Sequence, residues 1–266
     1  MVAQQDPGAS RADLAALPLS FVANRGQFAA EVSFTAQVAG ATVAFTEDAV
    51  RCRLGDHTMT ARFVGSQPGV APVGEHRQPH VSHFYLGADP TRWRSDVPNF
   101  ANVKYADLYP GIDLIYSGDG RRLKYDFVLA PGVDLAQICI AYEDVERVER
   151  GSGGELLVRA ASGTATEQPP VAWQEIDGRR VPVAVRYALL GERCFGFAVD
   201  GEWRRDLELV IDPVLTYSTY LGGLSYARWV ASPSTAPVPL MSRAARCRPT
   251  SPPRARRCRA AITSCS

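Results

Sequence analysis

Four groups of side chains in this sequence have types and spacings that could do chemistry, and each also has a plainer structural reading. Asp113 and Asp126 come first. If Asp119-Gly120 forms the two-residue turn of a β-hairpin, their numbering sets them directly opposite each other on the two strands. Opposed carboxylates repel unless a proton, a cation or a base intervenes. Such a pair could hold Ca²⁺ or act as the acid couple of a carbohydrate-active hydrolase. The plainer reading is a polar network in which the diagonal Lys124 and backbone N–H groups neutralise the two charges.

His76, His80 and His83 are spaced like a Zn or Cu site but bring no cysteine, so exposed loop histidines are the simpler expectation. Trp93, Tyr105 and Tyr109, with Tyr116 and Tyr125, could form an aromatic sugar-binding platform. At strand spacing such rings more often fill a core. Asn24, Gly26 and Gln27 read as a turn, the amide satisfying local backbone and Gly26 taking a positive φ. No serine sits in a G-x-S-x-G context, and no P-loop or Rossmann glycine pattern occurs. No cofactor and no committed metal site follow from these residues.

The elements that must position them are short and strand-like. Val32–Ala36 and Ala41–Phe45 alternate around Gly40, and Ala49–Leu54 and Thr58–Val64 continue the pattern. The stretch 65–79 is polar, contains Pro and Gly, and reads as a loop. From Gly111 to Pro131, Ile112, Leu114 and Tyr116 share one face of a strand; Leu123, Tyr125, Phe127 and Leu129 share one face of the returning strand. Further strands are predicted at Gln137–Tyr142, Glu155–Ala160, Val181–Leu190, Cys194–Val199 and Leu207–Ile211. No long segment has a 3.6-residue period. The fold class is all-β: a β-sandwich-like module over residues 17–215, with two packed halves meeting near Ala130–Val145.

The bulk numbers agree: 266 residues can bury a real core, and 22 Gly and 19 Pro suit a turn-rich β protein. The 29 basic and 28 acidic residues nearly cancel. Eight arginines and no acid lie between Leu224 and Ser266, however, so the body is acidic and the tail basic. None of the six cysteines forms a CxxC pair, which excludes a zinc ribbon, and Cys52, Cys139 and Cys194 read as buried, unbridged thiols. No run approaches the ~18 apolar residues of a membrane helix. Residues 1–16 are polar, carry no visible signal peptide, and read as a disordered leader.

An ordered series of motifs resembles one family. It opens with Leu17-Pro18-Leu19-Ser20-Phe21-Val22-Ala23-Asn24-Arg25-Gly26-Gln27 and continues through Tyr85-Leu86-Gly87 and Trp93-Arg94-Ser95-Asp96-Val97-Pro98-Asn99-Phe100. Leu108-Tyr109-Pro110-Gly111-Ile112-Asp113, Lys124-Tyr125-Asp126-Phe127 and Leu209-Val210-Ile211-Asp212-Pro213 follow, ahead of Ser218-Thr219-Tyr220-Leu221-Gly222-Gly223. The series resembles the N-terminal domain of bacterial SBBP-repeat surface proteins, in which STYLGG opens the propeller repeats. The resemblance implies a β fold, a cell-surface or secreted setting, and propeller repeats as partner; it carries no catalytic residues over.

Residues 216–231 read as the start of a first propeller repeat. Beyond them, residues 232–266 are rich in Arg, Pro and Ser, and codons read from the third base can spell a further repeat. That tail is therefore expected to be out of frame; the alternative is a basic arm that binds polyanions. The leading functional expectation is a non-enzymatic surface module used in adhesion or in binding a surface polysaccharide or protein, with no nucleic-acid partner. The competing expectation is a hydrolase working through Asp113 and Asp126.

Overall fold

In the computed structural model the described residues are 19–213, apart from 39, 120, 121 and 162, together with 215 and 216. The leader, the tail and most of the propeller-repeat start lie outside them. The chain opens with β1 (Phe21–Ala23), β2 (Phe34–Val38), β3 (Ala41–Phe45), β4 (Ala49–Leu54) and β5 (His57–Phe63). Two long strands, β6 (Val73–Phe84) and β7 (Arg94–Tyr109), precede β8 (Ile112–Asp119), β9 (Arg122–Leu129) and β10 (Ile140–Glu143). Then come β11 (Arg147–Arg150), β12 (Leu156–Ala160), β13 (Gly163–Glu167), β14 (Val171–Ile176) and β15 (Arg179–Val183). The last are β16 (Val185–Leu189), β17 (Cys194–Val199), β18 (Leu209–Asp212) and β19 (Leu215–Thr216). The class is all-β, and among the described residues no helix is long and apolar enough to cross a membrane.

One large antiparallel sheet runs β15-β14-β18-β9-β8-β7-β1-β2-β3-β4-β5-β10-β17-β16, with β6 paired to β7 off this path. A small sheet runs β11-β12-β13-β19. The two ends of the large sheet, β15 and β16, are consecutive in the chain and separated only by Ala184. Strands distant in the sheet order nevertheless touch: Phe45 of β3 meets Tyr116 of β8 at 5.0 Å between ring centroids, and Phe127 of β9 meets Phe197 of β17 at 5.7 Å. The sheet therefore folds over on itself, with its inner face as the core, which is the sandwich-like arrangement expected.

The alternation that predicts the strands also builds this core. Ile112, Leu114, Leu123, Phe127 and Leu129 are essentially inaccessible, as are Val43 and Phe45 opposite them. Each such side chain contributes about 1.5–3 kcal/mol on leaving water. Val148, Leu156 and Val158 bring the small sheet into the same apolar cluster.

Three expectations need correction. Residues 65–79 are not all loop: β6 begins at Val73 and pairs with β7, with irregular register between Arg77 and Val81 around Pro79. It is an edge strand exposed on both faces, so it carries no apolar alternation to read. Val181–Leu190 is not one strand but two at opposite ends of the sheet, parted at Ala184.

Third, the β8–β9 register pairs Asp119 with Arg122, so Asp119 belongs to the ladder, and residues 120 and 121 lie outside the described set. Asp113 then faces Val128, and Asp126 faces Ile115. The true register differs from the predicted one by two residues. Such a slip leaves the same side chains on the inner face, so the hydrophobic pattern cannot detect it and the turn alone decides.

Candidate functional site

The β6–β7 connection builds a rigid, exposed aromatic cluster. Asp89 caps a 3₁₀ turn at Pro90–Arg92, accepting hydrogen bonds from the Thr91 amide (3.0 Å) and hydroxyl (2.8 Å). Those two bonds hold its carboxyl below the usual range. The turn delivers Trp93, whose indole N–H donates to the Gly87 carbonyl at 3.1 Å. Tyr85 meets Trp93 edge to face at 5.5 Å, and His83 stacks nearly parallel to Tyr85 at 6.1 Å. His83 Nδ1 accepts from the Asp96 amide at 3.2 Å, which leaves its Nε2 to carry the ring proton. Tyr85 is 60% exposed, Leu86 51% and Trp93 40%.

Arg94 ties this tip to the body. Its guanidinium donates to the carbonyls of Arg25 (2.7 Å), Thr91 (2.8 Å) and Trp93 (2.9 Å). The Arg25 carbonyl is presented by the Asn24–Gln27 turn read from the sequence. There Asn24 Nδ2 donates to the Ala29 and Val32 carbonyls, and its Oδ1 accepts from the Gly26 and Phe28 amides. Gly26 has φ +94°, which favours glycine, and a Cβ there would sit 3.2 Å from the Arg94 guanidinium and press on it. Phe28 packs edge to face on Phe84 beneath the tip at 5.4 Å.

The rest of the expected aromatic platform is core, which corrects that part of the prediction. Tyr105 and Tyr109 are buried, their hydroxyls donating to the Thr46 carbonyl (2.8 Å) and the Cys139 carbonyl (2.9 Å). Tyr116 and Tyr125 are buried as well, and burial pushes all four phenols up. Of the named rings only Trp93 is on the surface. Its partners Tyr85 and His83 went unrecognised because each lies on a strand or turn with no apolar period.

The three histidines are engaged separately, His76 with Asn102, His80 with Ser20, and His83 with Asp96. Among the described residues no group of three or more His, Cys, Asp or Glu side chains is arranged to hold a metal ion.

Asp113 and Asp126 are not opposed. Asp113 closes the β7–β8 turn: Oδ1 accepts from the Asp107 amide at 2.7 Å, and Oδ2 pairs with Lys104 Nζ at 2.7 Å. Asp126 has a different acidic neighbour. The β9–β18 ladder pairs Phe127 with Ile211, so the next position outward sets Asp126 beside Asp212. The Oδ1 atom of each is sealed from solvent without a hydrogen-bond partner. Burial, then the charge of Asp212, pushes the Asp126 carboxyl up to about 6, against the pull of Lys124 and Arg180. Burial also raises Asp212, against the same two cations. Arg180 itself lies over the Trp173 ring at 4.6 Å. Below pH 6 this pair holds a proton.

A second carboxylate invisible in the sequence is Glu167, buried on β13. The hydroxyls of Tyr125 (2.6 Å) and Tyr142 donate to it, and the Tyr187 hydroxyl shares its proton between Glu167 (3.3 Å) and the Gln168 carbonyl (2.9 Å). Burial raises its pKa, opposed by these three bonds. The tyrosines come from β9, β10 and β16 of the large sheet, so one carboxylate of the small sheet gathers three strands of the other.

One family profile, described as "Domain of unknown function (DUF7948)", matches residues 21–214. No curated protein and no solved structure matches the chain.

Proposed function

Since the chain belongs to the DUF7948 family, we propose for this member a non-enzymatic recognition role: a module associated with a β-propeller, at the cell surface or secreted, that grips a polymer through the β6–β7 tip. The polymer is a surface polysaccharide or an extended protein. The observation that carries this reading is the exposure of Tyr85, Leu86 and Trp93 in an arrangement already fixed by hydrogen bonds to Gly87, Asp96 and Arg25. Exposed aromatic rings with a polar edge are the material of recognition surfaces, because they present apolar faces to C–H groups and donors to hydroxyls. Rings held before the ligand arrives lose little further entropy on binding. The propeller and the envelope setting rest on the run of motifs from Leu17 to Gly223.

Sedimentation of the full chain with cellulose, chitin, xylan and peptidoglycan tests the proposal. At least one should retain the protein, and Tyr85→Ala and Trp93→Ala should release it. Retention by none of them, or equal retention of the variants, would sink the polysaccharide form of the reading.

One observation favours a hydrolase instead, with Asp126 kept protonated to about pH 6 beside Asp212 as its acid couple. The pair lies side by side on neighbouring strands with an oxygen of each sealed from solvent, rather than on opposite walls of a cleft. That geometry suits a shared proton better than a substrate placed between two carboxyls.

A further inference from the structure

Two of the three body cysteines lie together. In the β10–β17 ladder Ala141 pairs with Cys194, which puts Cys139 two positions along, on the same face and on a diagonal of the ladder. Inward positions on these strands are taken by Ile140, Tyr142, Phe195 and Phe197, so Cys139 and Cys194 face outward, half-buried. The Cys139 thiol is within hydrogen-bonding reach of the Cys194 thiol. Cys52, on β4, is buried on the inner side of the sheet with Ile140, Tyr142 and Phe195.

Both backbones are held where they are. The Cys139 carbonyl accepts from the Val64 amide at 2.9 Å and from the Tyr109 hydroxyl at 2.9 Å, and the Cys139 amide reaches the same hydroxyl at 3.4 Å. The Cys194 carbonyl accepts from the Leu190 amide at 2.9 Å. Gly196, next but one to Cys194 on β17, has no side chain, and the Ile138 carbonyl and the Leu190 side chain lie over it. Forming the bond brings the sulfurs to about 2 Å, and on a diagonal of the ladder this draws the two backbones together as well as turning the side chains.

We propose that Cys139 and Cys194 are a disulfide-forming pair, oxidised by an external disulfide whenever the domain meets one. The reaction balances as thiol–disulfide exchange. One thiolate attacks the external disulfide and releases a thiol; the second attacks the mixed disulfide and releases another. The protein loses two protons and two electrons, and the oxidant becomes two thiols. The new bond closes the segment from 139 to 194, which contains β11–β13 of the small sheet as well as β14–β16. Closing a segment of that length restricts the unfolded chain and so favours the folded one. Burial, then the neighbouring sulfur, raises the Cys139 thiol, so its oxidation should accelerate as pH rises.

The test oxidises the full chain under native conditions with glutathione disulfide, then unfolds it, alkylates the remaining thiols and maps peptides without reduction. The expected result is a linked Cys139–Cys194 peptide pair lighter by two hydrogens, about 2 Da, and restored to two alkylatable thiols by dithiothreitol. In Cys194→Ser that linked pair is lost, and Cys139 returns alkylated or, where it has attacked the oxidant, as the unresolved mixed disulfide with glutathione. The proposal is overturned if both cysteines remain alkylatable after oxidation. Linkage of Cys139 or Cys194 to Cys247, Cys258, Cys265 or a second copy, in place of each other, overturns it equally.

Discussion

Replacing Asp126 by Asn should stabilise the domain at neutral pH and leave it unchanged in acid. In the folded chain the Asp126 carboxyl is pushed up to about 6 from an ordinary 3.8, by burial and by Asp212. Taken at face value, a shift of about two units is about 3 kcal/mol. Asp126 is only partly buried, and Lys124 and Arg180 lie nearby, so screening reduces the effect to about 1–2 kcal/mol. The sign follows from proton binding. Below pH 4 both folded and unfolded chains hold the proton, and the group imposes no penalty. Between pH 4 and 6 the unfolded chain releases it while the folded chain retains it, so stability falls as pH rises. Above pH 6 the penalty is complete. Asn carries the neutral shape at every pH and can donate to Asp212. Urea titrations followed by fluorescence should therefore give Asp126→Asn an advantage of about 1–2 kcal/mol at pH 7.5 and none at pH 4. A variant less stable than the parent at pH 7.5, or an advantage that does not change with pH, would refute the reasoning.

Two further perturbations follow from the same chemistry. Glu167→Ala removes the shared acceptor of the Tyr125 and Tyr142 hydroxyls, while Tyr187 keeps the Gln168 carbonyl, and should cost about 3–5 kcal/mol of stability in urea titrations, whereas Glu167→Gln, which keeps the shape and an acceptor, should cost about 1–2 kcal/mol. Arg94→Ala removes the one hydrogen bond that ties the aromatic tip to the Asn24–Gln27 turn and two more that brace the tip at Thr91 and Trp93, so amide exchange over residues 85–93 should accelerate at least tenfold while β8 and β9 keep their protection.

Some of this was legible in the residues. Ala41–Phe45 alternates cleanly between buried and half-buried positions, and the structure keeps its bounds together with those of Ala49–Leu54 and Cys194–Val199. The inward set of the β8–β9 hairpin was legible for the same reason. Its register was not, because a slip of two residues preserves that set, and the expected opposition of Asp113 and Asp126 depended on the register. β6 left no periodic mark because both of its faces are exposed.

The site followed the same division. Trp93 could be named only together with Tyr105, Tyr109, Tyr116 and Tyr125, which are core, and Tyr85 and His83 join it only once β6 and β7 pair. The Asp126–Asp212 and Glu167–tyrosine contacts link residues 86, 42, 25 and 20 positions apart, and only the folded sheet order brings them together. The cysteines follow suit: spacing excluded CxxC pairs, while the meeting of Cys139 and Cys194 depends on β10 pairing with β17.

The central claim is that the β6–β7 tip is the recognition surface, and the direct measurement is the dissociation constant for the polysaccharide that best retains the full chain. Trp93→Ala and Tyr85→Ala should each weaken binding about 10- to 100-fold, about 1.4–2.7 kcal/mol. Trp173→Ala, which removes a ring on β14, four strands from β7 in the sheet order, should leave it within about twofold. Equal affinity of the tip variants and the parent, or a loss confined to Trp173→Ala, would contradict the account.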